Sequence, residues 1–347
     1  VKKINKFIKW IKGYYIHSKY GKNLRIHNKV IIIEPVESKF NRYLYPFFYM
    51  LSSNGFKPVL NVKKHDLLQM YYDKYQRLIF KNGLYFKYTR KMNVIKKIVI
   101  DTDYFSALLI NKKREKIVPM CMHPLIYAKN VKPFKNNKAN RIAFFAGTIS
   151  AIHHNKTQIF KGVISRYKIV QFLKNLDNTI YVNNKSNIEN VYNSHSKSHF
   201  LIYDTKTINL TPSDLFKELS RSSFFLALPG RGMPLSHNII EAMCCNCIPI
   251  LQDIYANMFP VPLEDNVNCL IYKDKDELKQ VSDRVNQFNL EKIDQMRTNV
   301  NSYYNKYLSS KAITNLITKT ENTHFYLQAE GRSIILYKHN KLEKNII

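Results

Sequence analysis

The stretch 228–251, LPGRGMPLSHNIIEAMCCNCIPIL, sets a cationic glycine loop and a carboxylate inside otherwise apolar sequence. Gly230, Arg231 and Gly232 make a pliant, positively charged loop after an apolar run. Ser236, His237 and Asn238 stand where a helix would be capped, so their polar groups and the free N–H groups of the helix start would face the strand end. Glu241 follows in the first turns of that helix, as a carboxylate suited to ribose hydroxyls or as the closing member of a capping arrangement. A second loop, FFAGTIS (144–150), puts Gly147 after an apolar run, with Thr148 and Ser150 as hydroxyl donors. It reads as a backbone cradle for phosphate or as a plain tight turn. Arg166 opens the next helical pattern, where its fork and the helix dipole would both meet a diphosphate, or where it is a solvated cation. The run CIPILQD ends in Gln252 and Asp253, which border the same crevice or sit in a solvated turn.

For these groups to meet, the strands that carry them must end along one edge of a sheet. The pattern provides such strands. In the first half, KVIIIEPVES reads as a buried strand, followed by a helical segment ending at Gly55, then KPVLNV, KKIVIDTDYFS (96–106) and KIVPMCMHP (116–124) as strands. The polar stretch 128–140 is the best linker. Beyond it, strands at 141–147, 179–184, 199–204, 223–230 and 247–252 alternate with helices, one of them (211–222) opening on a capping pattern. Residues 275–317 read as mostly helical, and the end of the chain as a hairpin or tail. Strand–helix alternation on both sides of a linker predicts an α/β chain of two doubly wound Rossmann-like domains. The boundaries expected are a basic amphipathic segment 1–22, domains 23–137 and 138–320, and a tail 321–347. Ligands of such sheets bind outside the carboxyl ends of the strands.

The 347 residues suffice for two cores, and 55 basic against 25 acidic residues leave a formal charge of +30. Such a field favours anionic partners. No nucleic-acid module is present, so nucleic acid is not expected as a partner, whereas an anionic membrane surface is. The five cysteines, three of them at 244, 245 and 247, lack both a disulfide framework and the second Cys/His pair of a zinc site. No apolar run reaches transmembrane length. At the N-terminus, Ile4, Phe7, Ile8, Trp10 and Ile11 interleave with Lys2, Lys3, Lys6, Lys9 and Lys12 at helical spacing. This reads as an interfacial amphipathic helix, or as a helix packed on its own domain.

The order strand, glycine loop, Arg166 helix, then SFFLALPGRGMPLSHNIIEAMCCNCIPIL resembles the C-terminal domain of GT-B glycosyltransferases, most closely the exostosin-like branch. That branch carries Gly-Cys-Ile-Pro-Val where this chain has Asn246 followed by Cys247-Ile248-Pro249-Ile250. The similarity covers about 141–260. It implies two domains facing a central cleft, with Gly147 and Arg166 at the diphosphate of a nucleotide-sugar and Glu241 at its ribose; the loop and helix-start groups Thr148, Gly230, Arg231, Ser236, His237 and Asn238 are expected to complete that binding site. Retaining relatives commonly carry a glutamate eight positions before the ribose glutamate; here that position is Met233, which favours inversion. An inverting transfer needs a base, by resemblance from the first domain. Glu34, Glu37, Asp101 and Asp103 are its strand-end carboxylates and His123 its imidazole, and Glu37 and Asp103 are the two chosen. The implied reaction moves a sugar to a hydroxyl of a saccharide or lipid-linked acceptor, in bacterial surface glycan synthesis at the inner face of the membrane. It would use no cofactor beyond the donor and no metal, because cations and helix dipoles meet the leaving charge. A non-catalytic GT-B-like binding protein and a GT-B-shaped nucleotide-sugar epimerase are the alternatives.

Overall fold

The structure, a computed structural model, describes residues 2–37, 42–89, 92–134, 138–154, 160, 162–182, 192, 199–230 and 235–344. It divides into two units, one formed by Val1–Lys129 with Leu308–Ile347 and the other by Asn130–Tyr307. Both are built on parallel sheets. The first contains β1 (Lys29–Pro35), β2 (Phe56–Leu60), β3 (Val94–Asp101) and β4 (Ile117–Val118). The second contains β5 (Ile142–Gly147), β6 (Thr179–Val182), β7 (His199–Asp204), β8 (Phe224–Leu226), β9 (Ile248–Gln252) and β10 (Leu270–Tyr272). A last strand, β11 (His324–Leu327), returns to the first unit.

Parallel strands buried on both faces read as continuous apolar runs rather than alternations. Val30–Ile33, Ile142–Phe145, Phe200–Tyr203 and Ile248–Leu251 follow that rule and are buried throughout. In the first unit the strand order is β2-β1-β3-β11-β4. The chain leaves β1 to one side for β2 and then to the other side for β3, so the connections part between β1 and β3. In the second unit the order is β10-β9-β8-β5-β7-β6. Here the connections part between β5 and β8, since β6 and β7 lie on one side and β8 to β10 on the other. Each unit is thus a Rossmann-like α/β fold with one topological switch point, where a crevice opens at the carboxyl ends of the strands.

Two expectations about the chain's course differ from the structure. The strand expected over 116–124 is only Ile117–Val118, because Pro119 removes the ladder donor at the next position. The segment 308–320, expected in the second domain, and the described part of 321–347, expected as a hairpin or tail, both belong to the first unit. The helix Ser310–Lys319 lies on α2 (Leu44–Ser53), with Thr314 Oγ1 donating to the Met50 carbonyl at 3.3 Å. β11 then inserts between β3 and β4, in register Phe325↔Ile100 and Tyr326↔Ile117. Phe325 and Leu327 are wholly buried there, and the helix Gly331–Lys344 follows. The alternation of HFYL announces a strand; which slot in which sheet receives it is a tertiary matter.

Candidate functional site

At the switch point of the second unit, β5 ends in Gly147. A Cβ on Gly147 would lie 2.8 Å from the Phe145 ring and 3.1 Å from Arg166 Nη1. Its φ lies outside the left-handed region, so the glycine serves close approach, not a special turn. It leaves room for Arg166, the first residue of the helix Arg166–Leu173, whose start is capped by Ser165 Oγ accepting from Lys168 N at 3.3 Å. Arg166 is 5% exposed. It donates to the Thr148 carbonyl at 3.0 Å, and its guanidinium carbon stands 5.4 Å from the centre of the Phe145 ring. Burial pushes the guanidinium down from 12.5 to about 10, with Tyr255 and Asp204 acting the other way. The group stays charged at neutral pH. The sequence left a solvated cation open as an alternative for Arg166; its burial excludes that, because a charge taken out of water needs anionic or dipolar company.

Sequence reasoning missed Asp204, which ends β7 beside Gly147. Its Oδ1 accepts from Ile149 N at 3.2 Å and Lys206 N at 3.0 Å, and its Oδ2 from the Tyr181 hydroxyl at 3.3 Å. This carboxylate fixes the turn after Gly147. The signal was present in HFLIYD, a strand-end acid read by the same rule that flagged Asp103. Thr148 bonds through its hydroxyl to Thr205 Oγ1 at 3.1 Å on the surface.

Across the switch point, β8 runs into a segment that stays buried through Gly230. Arg231 and Met233 lie outside the described residues. Helix Asn238–Cys244 then begins, with His237 at its N-cap position in helical conformation and no side-chain cap hydrogen bond. The expected capping by Ser236–Asn238 is therefore not made. Asn238 instead reaches across to β5, donating from Nδ2 to the Ala146 carbonyl at 3.3 Å, and its Oδ1 has no partner among the described residues. His237 Nδ1 lies 2.8 Å from Glu241 Oε1. Glu241 is wholly buried, whereas the His237 side chain is 24% exposed and is the member of the pair that meets solvent. Gly147, Arg166, Asn238 and the end of β8 are thus brought together by β5 and β8, while Glu241 is held one turn into the helix.

Asn246, which stands where the resembling family has glycine, has φ +64°. It follows the helix Asn238–Cys244 in the left-handed conformation that ends helices, which Gly adopts freely and Asn tolerates. Gln252, expected to border the crevice or lie in a turn, is 1% exposed. It accepts from Ile164 N at 2.8 Å and donates to Lys273 O at 2.8 Å, tying the 162–164 loop to the end of β10.

In the first unit, both chosen carboxylates sit past the ends of β1 and β3, the pair of strands at its switch point. Glu37 forms an ion pair with Arg332 through both carboxylate oxygens, at 3.1 and 2.9 Å from Nε. Asp103 accepts from Asn340 Nδ2 at 2.7 Å, while its Oδ1 is buried without a partner among the described residues. Burial raises the Asp103 pKa above the usual carboxylate value, with neighbouring Asp101 adding to the shift and Ser106 and Asn340 opposing it. Asp101 is spoken for by Asp103 N at 2.9 Å and by His324 Nε2 at 3.1 Å. His123 caps the helix Pro124–Ala128, its Nδ1 accepting from Leu125 N at 3.2 Å. The partners Arg332, Asn340 and His324 all come from the returning segment, which the sequence reading had left outside this domain. All five cysteines are buried and none is in a disulfide, and burial lifts Cys121 and Cys247 well into the alkaline range. Among the described residues no three His, Cys, Asp or Glu side chains gather as a metal-ligand set. No helix there is long and apolar enough to cross a membrane.

No family model and no curated protein matches the chain. Among solved structures it is similar to Anabaena HepE, crystallised in complex with UDP, at 8% identity over 84% of this chain and 98% of that one, with a TM-score of 0.41. It is similar also to a glycosyltransferase from Rickettsia africae at 10% identity, over 83% and 96%, with a TM-score of 0.38. TarM is matched at 12% identity over 87% of this chain, which spans 55% of TarM, with a TM-score of 0.34. The class defined by the strand orders is a chain of two Rossmann-like α/β units, and that assignment stands on the topology alone.

Proposed function

We propose that this protein is a GT-B glycosyltransferase of the exostosin-like kind. It transfers a sugar from a nucleotide-sugar to a hydroxyl of a saccharide or lipid-linked saccharide in surface glycan synthesis, as a peripheral protein at the inner face of the membrane. The observation that carries the reading is a buried arginine at the switch point of a Rossmann-like unit, beneath a glycine-ended strand. A diphosphate leaving group would meet the Arg166 guanidinium at the start of its helix, where the helix dipole acts in the same sense. Glu241 takes the ribose once His237, which covers it in the unliganded fold, turns aside, and Arg231 adds to the phosphate charge balance. Anabaena HepE, crystallised with UDP, is consistent with a donor of this class.

Inversion by direct displacement is the proposed course, with Met233 in place of a second carboxylate and no bound metal. Of Glu37 and Asp103, Asp103 is the better base: its Oδ1 has no partner among the described residues and burial raises its pKa, whereas Arg332 is paired with Glu37. Asp103 accepts the acceptor hydroxyl's proton as the sugar–oxygen bond forms and the bond to the nucleotide diphosphate breaks. The test is a panel of nucleotide-sugars incubated with saccharide acceptors in EDTA. Proton NMR of the first product is expected to show the anomer opposite to the donor's. Retained configuration, or activity that returns only with manganese, overturns the mechanism; no nucleotide binding overturns the function.

A further inference from the structure

Helix α1 (Lys2–Tyr20) packs on the first unit through Gly13, Ile16, His17 and Tyr20. A Cβ on Gly13 would lie 1.9 Å from the carbonyl oxygen of Lys64, which opens α3 (Lys64–Tyr72). Ile16 is buried, His17 Nδ1 meets the Tyr85 hydroxyl at 2.7 Å, and the Tyr20 and Tyr71 hydroxyls bond at 2.8 Å. The helix is therefore fixed to the domain by its C-terminal half and is not a loose tether.

The large apolar residues face away. Phe7 is 61% exposed, Trp10 49%, Ile11 47%, Tyr14 51% and Tyr15 59%. At about 100° per residue, these positions fall on one arc, turned well away from Gly13, Ile16 and Tyr20. Their rings form a continuous ladder, with Phe7 stacked on Trp10 at 6.4 Å and Trp10 on Tyr14 at 5.9 Å. Lys12 and Lys19 are exposed beside that arc, and Lys9 is exposed on the other side of the helix. No acidic residue precedes Glu34 in the chain. A helix serving only its own fold would bury the aromatic side and expose the rest; this one does the reverse.

We infer that the outward face of α1 seats on an anionic phospholipid bilayer, with Phe7, Trp10, Ile11 and Tyr14 entering the headgroup–acyl boundary and the flanking lysines meeting acidic headgroups. Charge decides between occupants. A second copy seated face to face would bring lysine against lysine with no acid in either helix, whereas an acidic lipid surface complements both the stripe and its flanks. Because the C-terminal half of α1 is bolted down, the contact holds the first unit at the surface in a fixed orientation. This names the surface behind the peripheral location proposed above and rests on that reading for the choice of an acidic lipid.

The chain contains a single tryptophan, Trp10, inside the stripe, so its fluorescence reports on this face alone. The full chain is titrated with vesicles of phosphatidylcholine and of phosphatidylcholine mixed with phosphatidylglycerol. Trp10 emission should shift to the blue, and the protein should float, with the acidic vesicles only. Lys12→Gln with Lys19→Gln should weaken partitioning about 30-fold, and Phe7→Ser with Tyr14→Ser at least about tenfold, both with unchanged circular dichroism. Emission and flotation that ignore acidic vesicles overturn the proposal. So does a blue shift that grows with protein concentration in the absence of lipid, which assigns the face to a second copy. Nucleotide titration of the same variants tests the second unit separately.

Discussion

Replacing Arg166 by Met separates a ligand-binding cation from a structural one, because the two roles change stability and affinity differently. Burial lowers the guanidinium from 12.5 to about 10. At 1.36 kcal/mol per unit, keeping the charge in the unliganded fold costs about 3 kcal/mol. Two contacts offset that cost: the charged hydrogen bond to the Thr148 carbonyl contributes about 1.5–3 kcal/mol, and the Phe145 ring about 0.5–2 kcal/mol. Methionine fills most of the same volume with neither the charge nor the cost. The net change in stability is therefore expected within about 2 kcal/mol of zero, and of either sign. Affinity for a nucleoside diphosphate should still fall, by about 1.5–3 kcal/mol or roughly 10- to 150-fold in Kd, because a charge-assisted pair is lost. Urea unfolding without ligand and calorimetric titration with UDP measure the two quantities. Unchanged UDP affinity, or a collapse of the fold with binding lost as a consequence, refutes the assignment of Arg166 to the ligand.

Substitutions at two other positions test the first-unit carboxylate and a helix end. Asp103→Asn should lower turnover about 10²–10⁴-fold while donor affinity stays nearly intact. The same change should not destabilise the fold at neutral pH. A carboxyl whose folded pKa is raised binds its proton more tightly when folded, so wild-type stability falls as pH rises from the ordinary aspartate value through the raised one. Asp103→Asn removes that decline, and unfolding free energies measured at pH 4 and pH 7 should differ less than in the wild type. Asn246→Gly should be neutral or stabilising, and Asn246→Ala destabilising by about 1–2 kcal/mol, since alanine at φ +64° takes the left-handed penalty that glycine avoids; denaturant midpoints decide it.

Much of the second unit was legible because local rules suffice there. Continuous apolar runs specify strands buried on both faces, and Thr211 with Asp214 completes the capping box that the sequence predicts for the helix Pro212–Arg221. The loops that follow those strands carry Gly147, Arg166 and Asn238, and parallel pairing puts all such loops at one edge. Residue type alone did not reveal that Gly147 yields space to Arg166, or that Glu241 is buried behind His237, because both depend on what a neighbouring strand or turn presents. The sequence determined that this chain forms two α/β units, that its net charge is strongly positive, and that its N-terminal helix is amphipathic and basic. Only the tertiary structure decided where β11 inserts, and so which residues hold Glu37, Asp101 and Asp103. Only it decided which side of α1 faces outward. In both cases the local pattern fixes the element, but a slot between two distant strands, or the close approach Gly13 makes to Lys64, exists only once the rest of the domain has packed.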